Sequence, residues 1–196
     1  MKKDCFTANG KKTFVPVLMA VVLFALPCRG EEKTSARAGF RQEILSTLRY
    51  RVELLDRLTA DYEKQYGNGS LDGQSVMRAQ TALYTAELLL MKAEAGLPAE
   101  PGIAASAISL YAARALAKDM QQRSKGGNLS YSLLLKAELD AAEARLKYLN
   151  QLDQCSRPEF IENMWKKLPV YDPAKRLDRK LLKELFEAEI RSRQRR

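Results

Sequence analysis

The sequence predicts an all-α protein: an elongated antiparallel four-helix bundle of coiled-coil type, made of two duplicated αα-hairpins and followed by a short C-terminal helix. Apolar residues recur at helical spacing over residues 35–154, and glycine-rich turns interrupt that pattern. The helical part also repeats itself, because a shift of 58 positions overlays residues 58–90 on residues 116–148 without a gap. Repeated units bury their apolar faces against each other, which favours a bundle. The identical pairs are Leu58/Leu116, Asp61/Asp119, Gly69/Gly127, Leu71/Leu129, Ala79/Ala137, Ala86/Ala144 and Leu88/Leu146.

The N-terminal residues 1–30 have the pattern of a secretory signal peptide. A charged stretch over residues 2–12 precedes an almost entirely apolar run over residues 14–26, and small residues stand at the −3 and −1 positions of a cleavage after Gly30. The apolar run is shorter than the ~20 residues that a membrane-spanning helix needs. The sequence therefore predicts an exported protein of the periplasm or cell envelope. Two alternatives stay open, an uncleaved N-terminal anchor and a lipidated N-terminus at Cys28.

Four helices follow, with short turns at residues 67–70, 97–102 and 125–129 that make neighbouring helices antiparallel. In the two glycine-rich turns we expect glycine to form the C-terminal cap of one helix, while Ser70 and Asn128 cap the next. Each helix has an apolar seam in three- and four-residue steps. The seams are Ile44, Leu48, Val52, Leu55, Leu58, Tyr62 and Tyr66; Val76, Ala79, Leu83, Ala86, Leu90 and Ala93; Ile103, Ala107, Leu110, Ala113, Ala117 and Met120; and Leu135, Leu139, Ala142, Leu146 and Leu149.

The duplicated hairpin domain is assigned to residues 31–155, and residues 156–196 form a basic C-terminal extension. Asp172 and Pro173 predict the start of its amphipathic helix, since Asp is a good N-cap and Pro suits the first helical position. Trp165 is expected to attach the extension to the bundle. The helix is expected to pack back onto the bundle, and a peripheral contact with a membrane surface is the alternative.

The composition excludes several function classes. The net charge of +9 resides in the two terminal segments, while residues 31–155 hold equal numbers of basic and acidic residues, so no nucleic-acid partner is expected. The chain has no histidine, the commonest general base and metal ligand, and no phosphate-binding glycine loop. Cys155 is the only thiol after residue 30, which rules out an internal disulfide in the mature chain. We therefore expect no enzyme activity, no cofactor and no metal site.

Two segments, each beginning beside a glycine turn, carry a family resemblance. The residues of the first are Tyr62, Glu63, Gly67, Gly69, Ser70, Leu71, Val76, Met77, Ala79, Gln80, Leu83, Ala86, Glu87 and Leu88. Those of the second are Gly127, Asn128, Leu129, Leu134, Leu135, Ala137, Glu138, Ala144, Arg145, Tyr148, Leu149, Asn150, Gln151 and Leu152. Both segments resemble the signature of TolC-type outer-membrane efflux proteins, and the resemblance covers about residues 40–153.

The resemblance implies a role for the two turns. In that family the motif occurs twice per chain, at the periplasmic tips of two helical hairpins that contact the membrane-fusion adaptor of an export pump. Family members are longer and have β-strands between their hairpins, where this chain has only residues 96–102, so it cannot form a membrane duct by itself.

The predicted function is that of an exported TolC-like helical hairpin protein, a cell-envelope accessory of transmembrane efflux that acts by protein–protein contacts. The alternative is a periplasmic structural scaffold or chaperone-like bundle unrelated to transport. The partner is predicted to be an envelope protein such as an efflux adaptor, and homo-oligomer formation stays open. An equally simple account makes the two turn leucines staples of their own helices. The predicted partner-binding residues are Gly69, Ser70, Leu71, Gly127, Asn128 and Leu129.

Overall fold

A computed structural model of the protein describes residues 29–127 and 130–193, with side chains from residue 39 onward. The chain divides into residues 1–37 and a second unit of residues 38–196, and the packing described below is that of the second unit. The described residues form α-helices and no β-strand, which confirms the all-α prediction. Residues 1–28 of the predicted signal peptide lie outside the described residues. The helices are α1 (Arg29–Gly67), α2 (Gly73–Glu94), α3 (Ile103–Lys125), α4 (Tyr131–Asp153), α5 (Glu159–Trp165) and α6 (Arg179–Arg193).

Helices α1 and α2 run antiparallel, and polar contacts join them near both ends of α2. Gln80 is fully buried near the start of α2, and its Nε2 donates a hydrogen bond to Glu63 Oε1 of α1 at 2.9 Å. At the far end of α2, Glu94 accepts a hydrogen bond from Arg49 at 3.0 Å. The later residue of α2 thus contacts the earlier residue of α1, which is the geometry of an αα-hairpin.

Glycine closes α1 and α3 in the same conformation. Gly69 has a φ of 72° and Gly127 a φ of 74°, in the left-handed region where a side chain would be strained. In the first turn the N–H of Gly69 donates to the carbonyl of Tyr66 and the N–H of Ser70 to that of Gln65, both at 2.9 Å. These two bonds form a Schellman cap. At the second turn the N–H of Gly127 donates to the carbonyl of Ser124 at 3.0 Å, so the prediction of glycine caps at both turns is confirmed.

The predicted N-caps of α2 and α4 are wrong by two residues. Asp72, not Ser70, caps α2, and its carboxylate accepts from the N–H of Ser75 at 2.7 Å. Ser130 occupies the N-cap position of α4, and Asn128 lies outside the described residues. The reason in the first turn is that the Schellman cap already engages the N–H of Ser70 with the preceding helix.

Helices α2 and α3 form the centre of the core, and α5 and α6 complete it. The seams predicted for α2 and α3 are buried or half-buried throughout. The C-terminal helices contribute fully enclosed side chains to the same core, so residues 156–196 include part of it. The principal core residues are Leu83, Tyr84, Leu88, Ile103, Ala104, Ala107, Ile108, Leu110, Tyr148, Ile161, Met164, Leu182, Leu185 and Ala188.

The seam predicted for α4 is wrong, because α4 buries its opposite face. Ala137 is buried and Ala141 half-buried against Ala112 and Ala117 of α3, and these small side chains let the two helices approach closely. The predicted seam faces outward instead. Its residues and their exposed fractions are Leu135 (46%), Leu139 (59%), Leu146 (62%) and Leu149 (43%), together with the exposed Ala142.

Helix α1 shows a smaller departure from its predicted seam. Val52 and Leu55 pack against the core as expected, but Thr59 is buried where Leu58 was predicted, and Leu58 is 41% exposed. Its repeat equivalent, Leu116, is buried in α3. Identical residues of the sequence repeat therefore have different environments, because α2 and α3 occupy the centre while α1 and α4 lie outside.

The predicted start of the C-terminal helix is wrong. Asp172 and Pro173 form a turn in which the Asp172 carboxylate accepts from the N–H of Ala174 at 3.0 Å, and α6 begins at Arg179. Asp178 stands at that start, and its side chain accepts from the N–H of Lys180 at 2.9 Å. As predicted, α6 packs back onto the other helices, because its apolar side is buried in the core.

A buried ion pair holds the end of α6 against the last turn of α2, beside the start of α3. Lys92 Nζ lies 3.2 Å from Glu189 Oε1, and both side chains are almost fully enclosed. Glu189 Oε2 accepts from the N–H of Ala104 at 3.2 Å, so the carboxylate also satisfies the first turn of α3. Gly102 makes this approach possible, because a Cβ at that position would overlap the carboxylate.

Candidate functional site

The two glycine turns lie at the same end of the helical unit. Tyr66 and Gly73, on either side of the first turn, line a groove of about 430 Å³ together with Asp119 and Arg123 from the last turns of α3. Since α3 ends at the second glycine turn, the groove lies beside both turns. This is the juxtaposition expected of up-down helix connectivity. We call the groove and the two turns the tip surface.

The predicted binding residues are open to solvent where the structure describes them. Gly69, Ser70 and Gly127 are exposed, and space for a Cβ at either glycine is empty out to 4 Å. Leu71 is half-buried, so part of its side chain packs against its own hairpin and part remains accessible. Asn128 and Leu129 lie outside the described residues. The first turn is therefore an uncovered protein surface with one partly exposed leucine.

Sequence reasoning missed one wall of the tip surface, the loop between α5 and α6. Pro169, Val170 and Tyr171 line the groove, and Val170 is 87% exposed. Tyr171 fixes the loop: its hydroxyl donates to Gln80 Oε1 at 2.9 Å, and its ring meets that of Tyr111 edge-on with centroids 5.7 Å apart. The Leu168–Pro169 break was a signal for a loop, but nothing local indicates that the loop returns to α2.

A second polar network ties the same loop to α1. Arg176 Nε donates to both Glu63 carboxylate oxygens at 2.9 Å, and its Nη1 contacts Asp56. The hydrogen bond with Glu63 is the main reason that the pKa of Arg176 lies above its usual range. Glu63 also accepts from Gln80, so one carboxylate links α1, α2 and the loop. The groove wall is therefore held from two sides.

Two tyrosines of this region, Tyr84 and Tyr111, have phenol groups with raised pKa values. Burial raises the pKa of Tyr84 to about 12, and its hydroxyl accepts a hydrogen bond from the N–H of Leu177 at 2.8 Å. Burial likewise raises the pKa of Tyr111 to about 12. Both phenols stay protonated near neutral pH, so neither supplies a base there. The tip surface accordingly offers shape, apolar contact and fixed charge.

The described part of the chain holds no group of three carboxylate, thiol or imidazole side chains arranged to bind a metal ion. Cys155 is a free, half-buried thiol, and its Sγ donates to the carbonyl of Gln151 at 3.3 Å. Over residues 29–127 and 130–193, no helix combines the length and the apolar character required to cross a bilayer.

A second exposed surface is the seam of α4, which the sequence assigned to the core. We call Leu135, Leu139, Ala142, Leu146 and Leu149 the α4 seam. Four leucines, each between 43% and 62% exposed, form a continuous apolar stripe on the face away from α3. Contiguous apolar stripes on a protein surface mark interaction sites.

Comparisons of the chain with known protein families, with curated proteins and with solved structures found no match. The features of the chain that indicate a function are therefore the sequence motif and two exposed surfaces, the tip surface and the α4 seam.

Proposed function

We propose that the protein is an exported TolC-like helical hairpin protein, an accessory of transmembrane efflux in the periplasm or cell envelope that acts through protein–protein contacts. The observation that carries the proposal is the convergence of both glycine turns on one open groove. In the family that the sequence resembles, the same pair of turns forms the contact with the export adaptor. In this account the partner is an envelope protein of that adaptor class.

The finer architecture belongs to the same proposal: the hairpins α1–α2 and α3–α4 are duplicated copies with coiled-coil packing. Support comes from the matching φ values of Gly69 and Gly127 and from the burial of both Ala79 and Ala137, which are repeat equivalents. The different burial of the outer helices follows in this account from later specialisation of α1 and α4.

The groove suggests what the tip surface recognises. Tyr111 and Val170 provide apolar contact, while Arg114, Lys118 and Arg123 bring positive charge to its lining. Arg123 is paired with Asp119 of the same helix, whereas no ion pair among the described residues engages Arg114 or Lys118. An apolar side chain flanked by acidic residues on the partner would fit this combination of groups.

Site-specific photo-crosslinking in the intact cell envelope tests the proposal. A photo-reactive amino acid at Ser70 lies on the tip surface, and one at Ala99 is a matched control because that exposed residue lies in the loop at the opposite end of α2. We expect a crosslink from position 70 to a membrane-fusion adaptor and none from position 99. Replacing Leu71 and Leu129 together with Ser should abolish the crosslink while helical circular dichroism stays unchanged.

Equal crosslinking from both positions, or crosslinks at position 70 to no transport component, would contradict the efflux role. The intact mass of the envelope-extracted protein checks the export step separately. Cleavage after Gly30 is expected. A full-length mass would indicate an anchor, and an acyl mass on Cys28 a lipoprotein.

The second candidate function is a periplasmic structural scaffold or chaperone-like bundle unrelated to transport. The exposed α4 seam favours it, because an apolar helix face outside the glycine turns needs a protein contact that the adaptor model does not supply. If photo-reactive residues on α4 give crosslinks and those in the glycine turns give none, this candidate is supported over the first.

A further inference from the structure

The α4 seam has the spacing of a coiled-coil interface and no partner helix among the described residues. Its side chains follow steps of four, three, four and three residues, so Leu139 and Leu146 occupy a positions of a heptad and Leu135, Ala142 and Leu149 occupy d positions. The buried residues of α4, such as Ala137 and Tyr148, lie on the opposite side against α3, α5 and their neighbours. The seam is therefore directed away from the rest of the unit.

The charges beside the seam indicate what covers it. Lys136 and Glu143 occupy e positions, and Glu138 and Arg145 occupy g positions. All four side chains are exposed. No ion pair formed within the described residues involves any of them, although Glu138 accepts a hydrogen bond from Gln121 of α3 at 3.0 Å. These positions set partner choice and orientation in coiled coils.

A second α4 in antiparallel orientation pairs four of the five seam residues with apolar residues and all four charges with opposite charges, while Leu149 lies opposite Ser132 at the end of the interface. When Leu135 meets Leu146 of the second copy, Leu139 meets Ala142 of the second copy. In the same register Lys136 faces Glu143 of the second copy at the e–e contact. At the g–g contact Glu138 faces Arg145 of the second copy. Every one of these pairs is apolar with apolar or positive with negative, and two-fold symmetry makes each of them occur twice.

A parallel pair of α4 helices lacks this match. Parallel helices bring g positions opposite e positions of the neighbour, so Glu138 would face Glu143 of the second copy, and two like charges oppose each other on both sides of the interface. The orientation is therefore specified by four charges on one face of one helix.

We propose that two copies of this chain associate through the α4 seam as an antiparallel two-fold dimer. The proposal is independent of the efflux role, because the seam lies on α4 outside the glycine turns. The partner is a second copy because the two e positions, Lys136 and Glu143, have opposite charges, as do the two g positions, Glu138 and Arg145, so each pair is complementary to itself in the antiparallel orientation. The small side chain of Ala142, opposite Leu139 at the centre of the interface, allows close approach of the two helices.

Sedimentation analysis of the protein from residue 31 onward tests the interface. We expect a dimer for the natural sequence and a monomer for Leu139→Asp, whose site is exposed and whose circular dichroism should therefore stay unchanged. Leu133→Asp is the matched control, because Leu133 is a 49% exposed leucine of α4 outside the seam. The control should remain dimeric. A monomeric natural sequence would overturn the proposal. A dimer that survives Leu139→Asp would also overturn it, because the interface would then lie outside the α4 seam, for example on α1.

Charge reversal tests the antiparallel register. Lys136→Glu alone or Glu143→Lys alone should raise the dissociation constant of the dimer roughly tenfold, since each introduces two repulsive contacts between exposed groups. Combining both changes in one chain should restore the natural constant. Mixing the two single variants should give a heterodimer tighter than either homodimer. If the combined variant stays as weak as the single ones, the register is wrong.

Discussion

Replacing Glu189 with Gln removes the negative member of the buried pair with Lys92 while keeping the size of the side chain. The Lys92 ammonium, whose side chain is only 6% exposed, then remains enclosed without a counter-charge. It keeps one hydrogen bond, to the carbonyl of Glu100 at 2.7 Å. The amide at 189 retains an oxygen that can accept from the N–H of Ala104, but its NH2 group then faces Lys92 and Arg193, so the change removes both the charge and the acceptor at Oε1.

The geometry sets the size of the effect. At the observed separation of 3.2 Å, a pair of unit charges in a medium of effective dielectric constant ~20 attracts by about 5 kcal/mol. Removing one member of a buried pair lowers the free energy of unfolding by about 3–5 kcal/mol. The retained bond from Lys92 to Glu100 places Glu189→Gln near the lower end, at about 3 kcal/mol. Lys92→Met should have a smaller effect, about 1–2 kcal/mol, because Arg193 still pairs with Glu189 at 3.0 Å.

Urea unfolding followed by circular dichroism measures both single variants and their combination. The double variant Glu189→Gln with Lys92→Met contains no unpaired buried charge, so we expect it to be more stable than Glu189→Gln alone. Glu187→Gln is the matched control: Glu187 lies on the same helix and pairs with Arg191 at 3.0 Å, but both side chains are exposed. Its effect should stay below about 0.5 kcal/mol.

Two outcomes would refute this reasoning. If Glu189→Gln changes the free energy of unfolding by less than about 1 kcal/mol, the enclosed ammonium is better solvated than the structure indicates. If the double variant loses the sum of both single losses, the two side chains act independently and the pair does not hold α6 in place.

The remaining predictions concern the turns and the buried phenols. Gly69→Ala and Gly127→Ala should each lower the free energy of unfolding by about 1–2 kcal/mol, because φ values of 72° and 74° strain any residue with a Cβ. Gly39→Ala, in a helix, should not lower it, and equal urea midpoints for all three variants would disprove the cap assignment. The pKa of Tyr84 rises from 10.0 unfolded to about 12 folded, so its contribution to stability is complete below pH 10 and is lost as the pH rises toward 12. Ultraviolet titration of phenolate formation should show Tyr84 ionising together with unfolding, and ionisation of every tyrosine near pH 10 before unfolding would contradict this.

The sequence alone was sufficient to predict helices α1 to α4 and the glycine caps that end α1 and α3, but it did not predict α5 or the start of α6. Apolar periodicity and glycine are local signals: Gly69 and Gly127 are needed wherever the backbone must enter the left-handed region, whatever surrounds them. The alanine-rich seam of α2 was also predicted correctly, because α2 is enclosed by other helices and its periodicity has few alternatives.

The inward face of α4 was decided only by tertiary packing. Both sides of α4 are apolar, one with leucines such as Leu139 and the other with Ala137 and Tyr148, and periodicity cannot rank two apolar faces. The alanines of α3 select the alanine face, because small side chains on both helices permit close approach. The larger leucines are then left on the surface.

The candidate site also has one part that the sequence predicted and one part that only the tertiary structure decided. The sequence identified the turn residues Gly69 and Ser70 through a local motif, and antiparallel connectivity was enough to expect both turns at one end. The sequence did not predict that the loop between α5 and α6 lines the groove, because the contact that places it there joins Tyr171 to Gln80, which are 91 residues apart in the chain. A hydrogen bond between such distant residues leaves no periodic or local trace. The sequence by itself therefore determined the four long helices and their glycine turns, because periodicity and glycine are local signals, whereas the choice of exposed faces and the closure of the groove came from contacts that exist only in the folded chain.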